Sequence, residues 1–265
     1  MSDSFSSVRV ELRSSGVAWV EVARPAVSNA FDEQMIEALD AAFAALGANP
    51  EVRVVVLAAQ GRHFSAGADL GWMQRASQAS AADNLADARR FAAMLSRIAQ
   101  LPQPTVARIQ GAALGGGVGL VCACDIAIAS EDACFALSEA RLGILPAVIG
   151  PYLVNAVGPR QARALALMAE RIDAQRALAI GLVHQVVPSH GLDAAVDVSL
   201  EALRKGSPQA QRAIKSFFGQ LSVGPVGEEA RELSAQTISH ARTSDDAREG
   251  FAAFLEKRPP RWGGR

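Results

Sequence analysis

Cysteine is scarce in this 265-residue chain and carries no pattern. Cys122, Cys124 and Cys134 form an odd set without a C-x-x-C pair. That spacing argues against a disulfide framework or a cysteine zinc site, and it fits buried, reduced thiols in a cytoplasmic protein. Histidine is equally sparse. His184, His190 and His240 lie apart and make no metal set, so no metal is expected. Neither sign of charge prevails: 26 Lys and Arg face 27 Asp and Glu, for a net charge of −1. The chain therefore lacks the basic field that nucleic acid or an anionic membrane would attract. The uncharged run 109–124 is glycine-rich and too short for a membrane span. Residues 1–7 are polar, without a basic segment leading into an apolar one, so no secretion signal is expected.

What the chain does have is apolar content. It is 50% hydrophobic and 20% charged, which suits one α/β domain with a helical appendage. Residues 8–12 and 17–22 alternate around Ser14-Ser15-Gly16, a hairpin pattern. Asp32 is placed to cap a helix with Met35, Ile36, Leu39, Phe43 and Leu46 on one face. Residues 52–58 read as a strand covered on both faces. The small-residue loop 61–70 follows, then an Ala/Ser-rich stretch to residue 80, expected to be mobile or loosely helical. A helix over 85–99 and strands at 105–109, 125–129, 135–137 and 183–187 come next, with short helices between 150 and 179 broken at Gly158-Pro159. After residue 192 the pattern is helical only. We therefore expect an α/β core over 1–192 and a C-terminal helical region over 193–265.

The candidate chemistry lies in two glycine-rich loops, each after a buried strand. One is Ser65-Ala-Gly-Ala68; the other is Gly115-Gly-Gly117 within Gln110-Gly-Ala-Ala-Leu-Gly-Gly-Gly117. Each can offer a free backbone N–H, and two such donors aimed at one point make an oxyanion hole. The glycines could instead serve close helix packing alone. Glu139 follows a short apolar strand, where burial would raise its pKa and suit it to proton transfer; a surface glutamate opening a loop is the plainer alternative. His63, beside the first loop, has no partner at a triad-like spacing and is read as holding backbone geometry. Ser65 and Ser138 lack an activating base.

Further pieces recur in order: Arg24-Pro25 with Asn29-Ala30, His63-Phe-Ser-Ala-Gly-Ala-Asp-Leu70, Cys124-Asp-Ile126, Phe135-Ala-Leu-Ser-Glu139, Leu142-Gly143, Gly181-Leu-Val183, Asp246-Ala-Arg-Glu-Gly250 and Phe254-Leu-Glu-Lys-Arg258. Together with the glycine triplet they resemble the crotonase, or enoyl-CoA hydratase/isomerase, superfamily. The resemblance implies a spiral of ββα units and C-terminal helices that build a homotrimer or a homohexamer. It implies an acyl-CoA thioester substrate and no separate cofactor, because CoA is part of the substrate. Carried over by position, the N–H groups of Ala68 and Gly116 polarise the thioester carbonyl and Glu139 moves the proton. Ala66, Asp69 and Leu70 lie along the substrate, and Lys257 approaches the CoA nucleotide from a neighbouring subunit.

Two departures stand out. Where the family's hydratases carry a second glutamate, this chain has Gly119, and Pro146-Ala-Val-Ile-Gly150 replaces a glycine-rich turn. These features and Asp69-Leu-Gly-Trp72-Met73 resemble bacterial methylglutaconyl-CoA and isohexenylglutaconyl-CoA hydratases of leucine and acyclic-terpene breakdown. A distal substrate carboxylate would then look to Arg75, Arg90 or Arg97. Trp72 and Met73 could wall the acyl pocket or pack the core. The expected activity is hydration of a 2-enoyl-CoA. The alternatives are a 3-enoyl to 2-enoyl isomerase, and a non-catalytic acyl-CoA-binding or RNA-binding member of the fold.

Overall fold

The structure, a computed structural model, describes residues 2–5 and 7–263. Strands β1 (Ser2–Phe5), β2 (Val8–Leu12) and β3 (Val17–Val22) form an antiparallel meander. The expected hairpin is the β2–β3 pair, turning through Ser14–Gly16. From β3 the sheet continues in parallel through β4 (Val54–Ala59), β5 (Thr105–Ile109), β7 (Ile126–Ser130) and β10 (Gln185–Val187), giving a 7-stranded sheet. A smaller 3-stranded sheet joins β6 (Ala112–Leu114), β8 (Cys134–Ala136) and β9 (Ile172–Asp173). Neither β1 nor β6 stood out in the sequence.

Alternation along β4 explains how the large sheet is covered. Val55 and Leu57 point into one core with helices α1 (Glu33–Ala48), α3 (Ala81–Ala99), α4 (Gly116–Ala123) and α5 (Gly150–Met168). Val54, Val56 and Ala58 point the other way, against Leu192, Ala195, Val196 and Leu200 of α7 (Leu192–Arg204). All six residues of β4 are buried, as a strand packed on both faces requires. Asp32 caps α1 by accepting from the Met35 amide at 2.9 Å.

The stretch expected to be mobile or loosely helical is helical over Leu70–Gln78. Asp69 accepts from the amides of Gly71 (2.9 Å) and Trp72 (3.2 Å) and so caps α2 (Leu70–Gln78). Gly158, with a non-helical φ of 75° and ψ of 160°, breaks α5 into two pieces joined at a kink, as Gly158-Pro159 led us to expect, and α6 (Ala174–Ala179) follows β9. Helices α8 (Pro208–Phe218), α9 (Glu228–Arg242) and α10 (Asp245–Leu255) form a further layer. Lys215 on α8 ties it to the core: its Nζ donates to Asp125 Oδ2 at 2.6 Å and to the Gln103 carbonyl at 3.0 Å. Among the described residues no helix is long and apolar enough to cross a membrane.

Candidate active site

The first loop is held by a buried amide. Asn29, fully buried with a left-handed backbone (φ 55°), donates from Nδ2 to the carbonyls of Gln60 and His63, both at 2.8 Å. Its Oδ1 accepts from the Arg24 amide at 2.8 Å. Ser65 Oγ donates to the Asn29 carbonyl at 2.8 Å and accepts from the Gly67 amide at 3.3 Å. Ser65 thus spends its hydroxyl on the backbone. His63 does likewise, because its Nδ1 accepts from the Ala112 amide at 3.1 Å.

Hydrogen-bond direction then frees one donor. Phe31 pairs in parallel with Ala68: the Phe31 amide donates to the Gly67 carbonyl and the Asp69 amide donates to the Phe31 carbonyl, each at 2.7 Å. Both bonds leave from peptides flanking Ala68. In a trans peptide the Ala68 N–H therefore points away from Phe31, and among the described residues it has no partner. Ala68 itself is exposed.

The second loop is bonded to the first. Ser65 pairs with Ala113, its amide donating to the Ala112 carbonyl and its carbonyl accepting from Leu114, both at 2.9 Å. Gly115, with φ +48° and ψ −116°, turns the chain from β6 into α4. Gly116 is the first helical residue, so its N–H has no acceptor within the helix. The glycines also permit close packing. A Cβ on Gly67 would stand 3.1 Å from the Leu114 carbonyl oxygen, and one on Gly117 would stand 2.9 Å from Ser65 Cβ. These two glycines therefore serve the close packing of one loop on the other.

Glu139 reaches this junction because β8 runs beside β6. Its Oε1 lies 3.2 Å from where a Cβ on Gly115 would be. Oε2 is buried and has no hydrogen-bond partner among the described residues. Burial pushes the Glu139 carboxyl above the ordinary carboxylate range. The position of a second carboxylate is shut: a Cβ on Gly119 would fall 2.4 Å from Ile149 Cγ2 and 3.5 Å from Leu95 Cδ1. Ile149, buried at the start of α5, belongs to the Pro146–Gly150 departure seen in the sequence. Its packing role had no sequence signal beyond that departure.

The other candidates fall in several places. The Ala66 amide donates to Ser28, Asp69 caps α2, and Leu70 is 83% exposed at the start of that helix. Trp72 packs against the core and donates from Nε1 to Asp87 at 2.8 Å. Lys257 follows α10 in the C-terminal layer with a left-handed φ of 53°. Arg75 pairs with Glu33, Arg90 with Asp87 and Arg97 with Asp40, so each is engaged by a carboxylate of the chain. Burial pushes the Cys122 and Cys124 thiols up to about 12, which keeps them protonated. Among the described residues no cluster of three His, Cys, Asp or Glu side chains is placed to hold a metal ion. A cavity of about 870 Å³ lies elsewhere, between α8, α9 and α10.

The contact between Gly119 and Ile149 can be tested by coupling. Gly119→Glu should cost about 1–3 kcal/mol through overpacking. In Gly119→Glu/Ile149→Gly the two changes relieve one another, so the double variant should cost at least about 1 kcal/mol less than the sum of the singles. Chemical denaturation measures all three, and strictly additive costs would contradict the contact.

Comparison with known proteins matches residues 12–265 to the enoyl-CoA hydratase/isomerase family. A protein of Thermus thermophilus named as a putative enoyl-CoA hydratase is 34% identical over 96% of this chain and 100% of its own. A trans-2-decenoyl-[acyl-carrier-protein] isomerase of Streptococcus mutans is 31% identical over 94% of this chain and 95% of its own. The crystal structure of an enoyl-CoA hydratase from Shewanella pealeana superposes with a TM-score of 0.93 at 40% identity, covering 97% of this chain and 96% of that one. Likeness of this extent in both sequence and fold leaves one assignment: the chain belongs to the enoyl-CoA hydratase/isomerase, or crotonase, family.

Proposed function

We propose that the protein adds water across the 2,3 double bond of an enoyl-CoA thioester. The observation that carries this reading is the Glu139 carboxylate, buried with Oε2 unpartnered at the junction of two loops that each leave a backbone N–H free. In the proposed reaction the N–H groups of Ala68 and Gly116 donate to the thioester oxygen and stabilise the enolate that forms. Glu139 takes a proton from water as the water oxygen bonds to the β-carbon, then returns a proton to the α-carbon. Ala66, Asp69 and the exposed Leu70 line the approach of the thioester, and Lys257 meets the CoA nucleotide across a subunit boundary. No further cofactor enters the scheme. The names of the Thermus and Shewanella relatives support hydration.

A second reading, migration of a 3-enoyl double bond to the 2-position, draws support from Ile149. With the Gly119 position shut, one carboxylate must make both proton moves, and a proton shuttle needs no bound water. The Streptococcus relative is named an isomerase. A dicarboxylic acyl chain gains nothing from Arg75, Arg90 and Arg97, each already ion-paired, so the proposal stops at the enoyl-CoA class. Isotope-labelled water separates the two readings. Hydration places solvent oxygen on the β-carbon of a 3-hydroxyacyl product; rapid conversion of a 3-enoyl-CoA with no label would favour the isomerase.

The raised pKa of Glu139 has consequences of definite sign. Hydration needs the ionised form, so kcat/KM should rise with pH through a limb above the ordinary carboxylate range. Glu139→Gln should lower the rate by roughly 10²–10⁴ and remove that limb. A group whose folded pKa is raised costs stability once ionised, and the cost is absent below its unfolded pKa. Glu139→Gln should therefore be more stable than the native chain at neutral pH, with the gain shrinking as pH falls past the folded pKa and gone below the unfolded one. Native turnover by this variant would remove Glu139 from the scheme.

The C-terminal layer supports self-association. Phe218 (65% exposed), Phe251 (61%), Phe254 (83%) and Leu255 (79%) leave more apolar surface on α8 and α10 than a monomer ordinarily shows. We place a trimer, or a dimer of trimers, on these helices. Light scattering should report three or six chains; a monomer at working concentration would contradict it.

A further inference from the structure

The Arg24 side chain bridges the two segments that pair at Ala68. Its Nη2 lies 2.7 Å from Asp32 Oδ2 and 3.5 Å from Asp69 Oδ2, and its Nη1 donates to the Ala30 carbonyl. Those two aspartates are the N-caps of α1 and α2. Between them in space run the two 2.7 Å bonds that join Phe31 to Gly67 and Asp69. The first of them orients the peptide bearing the Ala68 N–H, and the second holds the peptide that follows it. The three side chains are largely buried, at 21%, 16% and 23% exposure for Arg24, Asp32 and Asp69.

We propose that Arg24 is a positioning residue for the Ala68 N–H, holding Asp69 against the α1 cap so that the donor faces the thioester oxygen. This inference rests on the proposed role of that N–H. Physically, one guanidinium nitrogen is shared by two carboxylates. Without the cation, the carboxylates repel across a poorly hydrated gap, and Asp69 caps α2, which buries no residue, whereas Asp32 caps the core helix α1. Ala68, bonded directly to Asp69, moves with it, and a small displacement is enough to misaim a preorganised donor. Lysine cannot replace the fork, because a single ammonium does not span both carboxylates and the carbonyl in one plane.

The test reads donor alignment apart from turnover. Butanoyl-CoA labelled with ¹³C at the carbonyl is bound to the native protein and to Arg24→Met, and its carbonyl stretch is recorded by infrared difference spectroscopy. Kinetics with a 2-enoyl-CoA and melting curves are taken in parallel. The native protein should lower the carbonyl frequency. Arg24→Met should show a smaller shift, a fall of about tenfold or more in kcat, and a KM within about threefold. Adding Asp32→Asn, which keeps an N-cap but removes one of the repelling charges, should recover part of kcat and of the shift. If Arg24→Met does not fold, Arg24→Lys is read in the same way and should show the reduced shift. A folded variant with native shift and native kcat overturns the proposal. So does a variant whose KM rises while kcat and the shift are kept, since that makes Arg24 a phosphate-binding cation. A native protein that leaves the carbonyl frequency unmoved overturns the donor pair itself, and with it this role for Arg24.

Discussion

The pairing of Ser65 with Ala113 is the contact on which the rest depends. Two bonds of 2.9 Å fasten a loop leaving β4 to a strand that leads into α4. Without them the 61–70 loop and the glycine turn would be separate surface features at the ends of neighbouring strands. With them, Gly67 packs on Leu114 and Gly115, and both free N–H groups belong to one rigid junction. Neither donor is itself carried on a flexible side chain. Each is what remains once its neighbours' hydrogen bonds are made, so the proposed reaction needs little reorganisation of the donors as charge develops on the thioester oxygen.

That rigidity is matched by an electrostatic tension. A carboxylate with one buried, unpartnered oxygen is unfavourable in a resting fold, and buried polar groups are ordinarily satisfied. The fold tolerates it because the cores on both sides of the large sheet and the Asn29 hydrogen bonds fix the surrounding backbone independently. The same burial that costs stability raises the proton affinity of Glu139 above that of an ordinary carboxylate. Ile149 limits the site to this single group by filling the space beside Gly119.

Much of this was legible in the sequence wherever one residue type has one physical use. Asp32 before an apolar stripe, the unbroken run 52–58 and the glycine triplet each led to the element or turn observed. The α2 stretch was read only as mobile or loosely helical, because the helix is held by the Asp69 cap and by Trp72 packing on the core rather than by the Ala/Ser-rich sequence itself. Strand β6 was missed for a related reason: three small residues have no strand signal until β8 and Ser65 are there to pair with them. Distance along the chain hid the rest. Arg24 and Asp69 are 45 positions apart, and nothing local ties Ile149 to Gly119. Such contacts depend on which side chains tertiary packing brings together, and single-sequence patterns do not encode that.

The central claim is that one point in space lies within reach of Ala68, Gly116 and Glu139 at once. A crystal structure of the protein with a bound, unreactive acyl-CoA tests it most directly. The account predicts the thioester oxygen at about 2.7–3.1 Å from both the Ala68 and Gly116 nitrogens, with Glu139 Oε2 facing the α- and β-carbons. A thioester bound with its carbonyl turned to solvent, or with Glu139 directed away from the acyl chain, would contradict it.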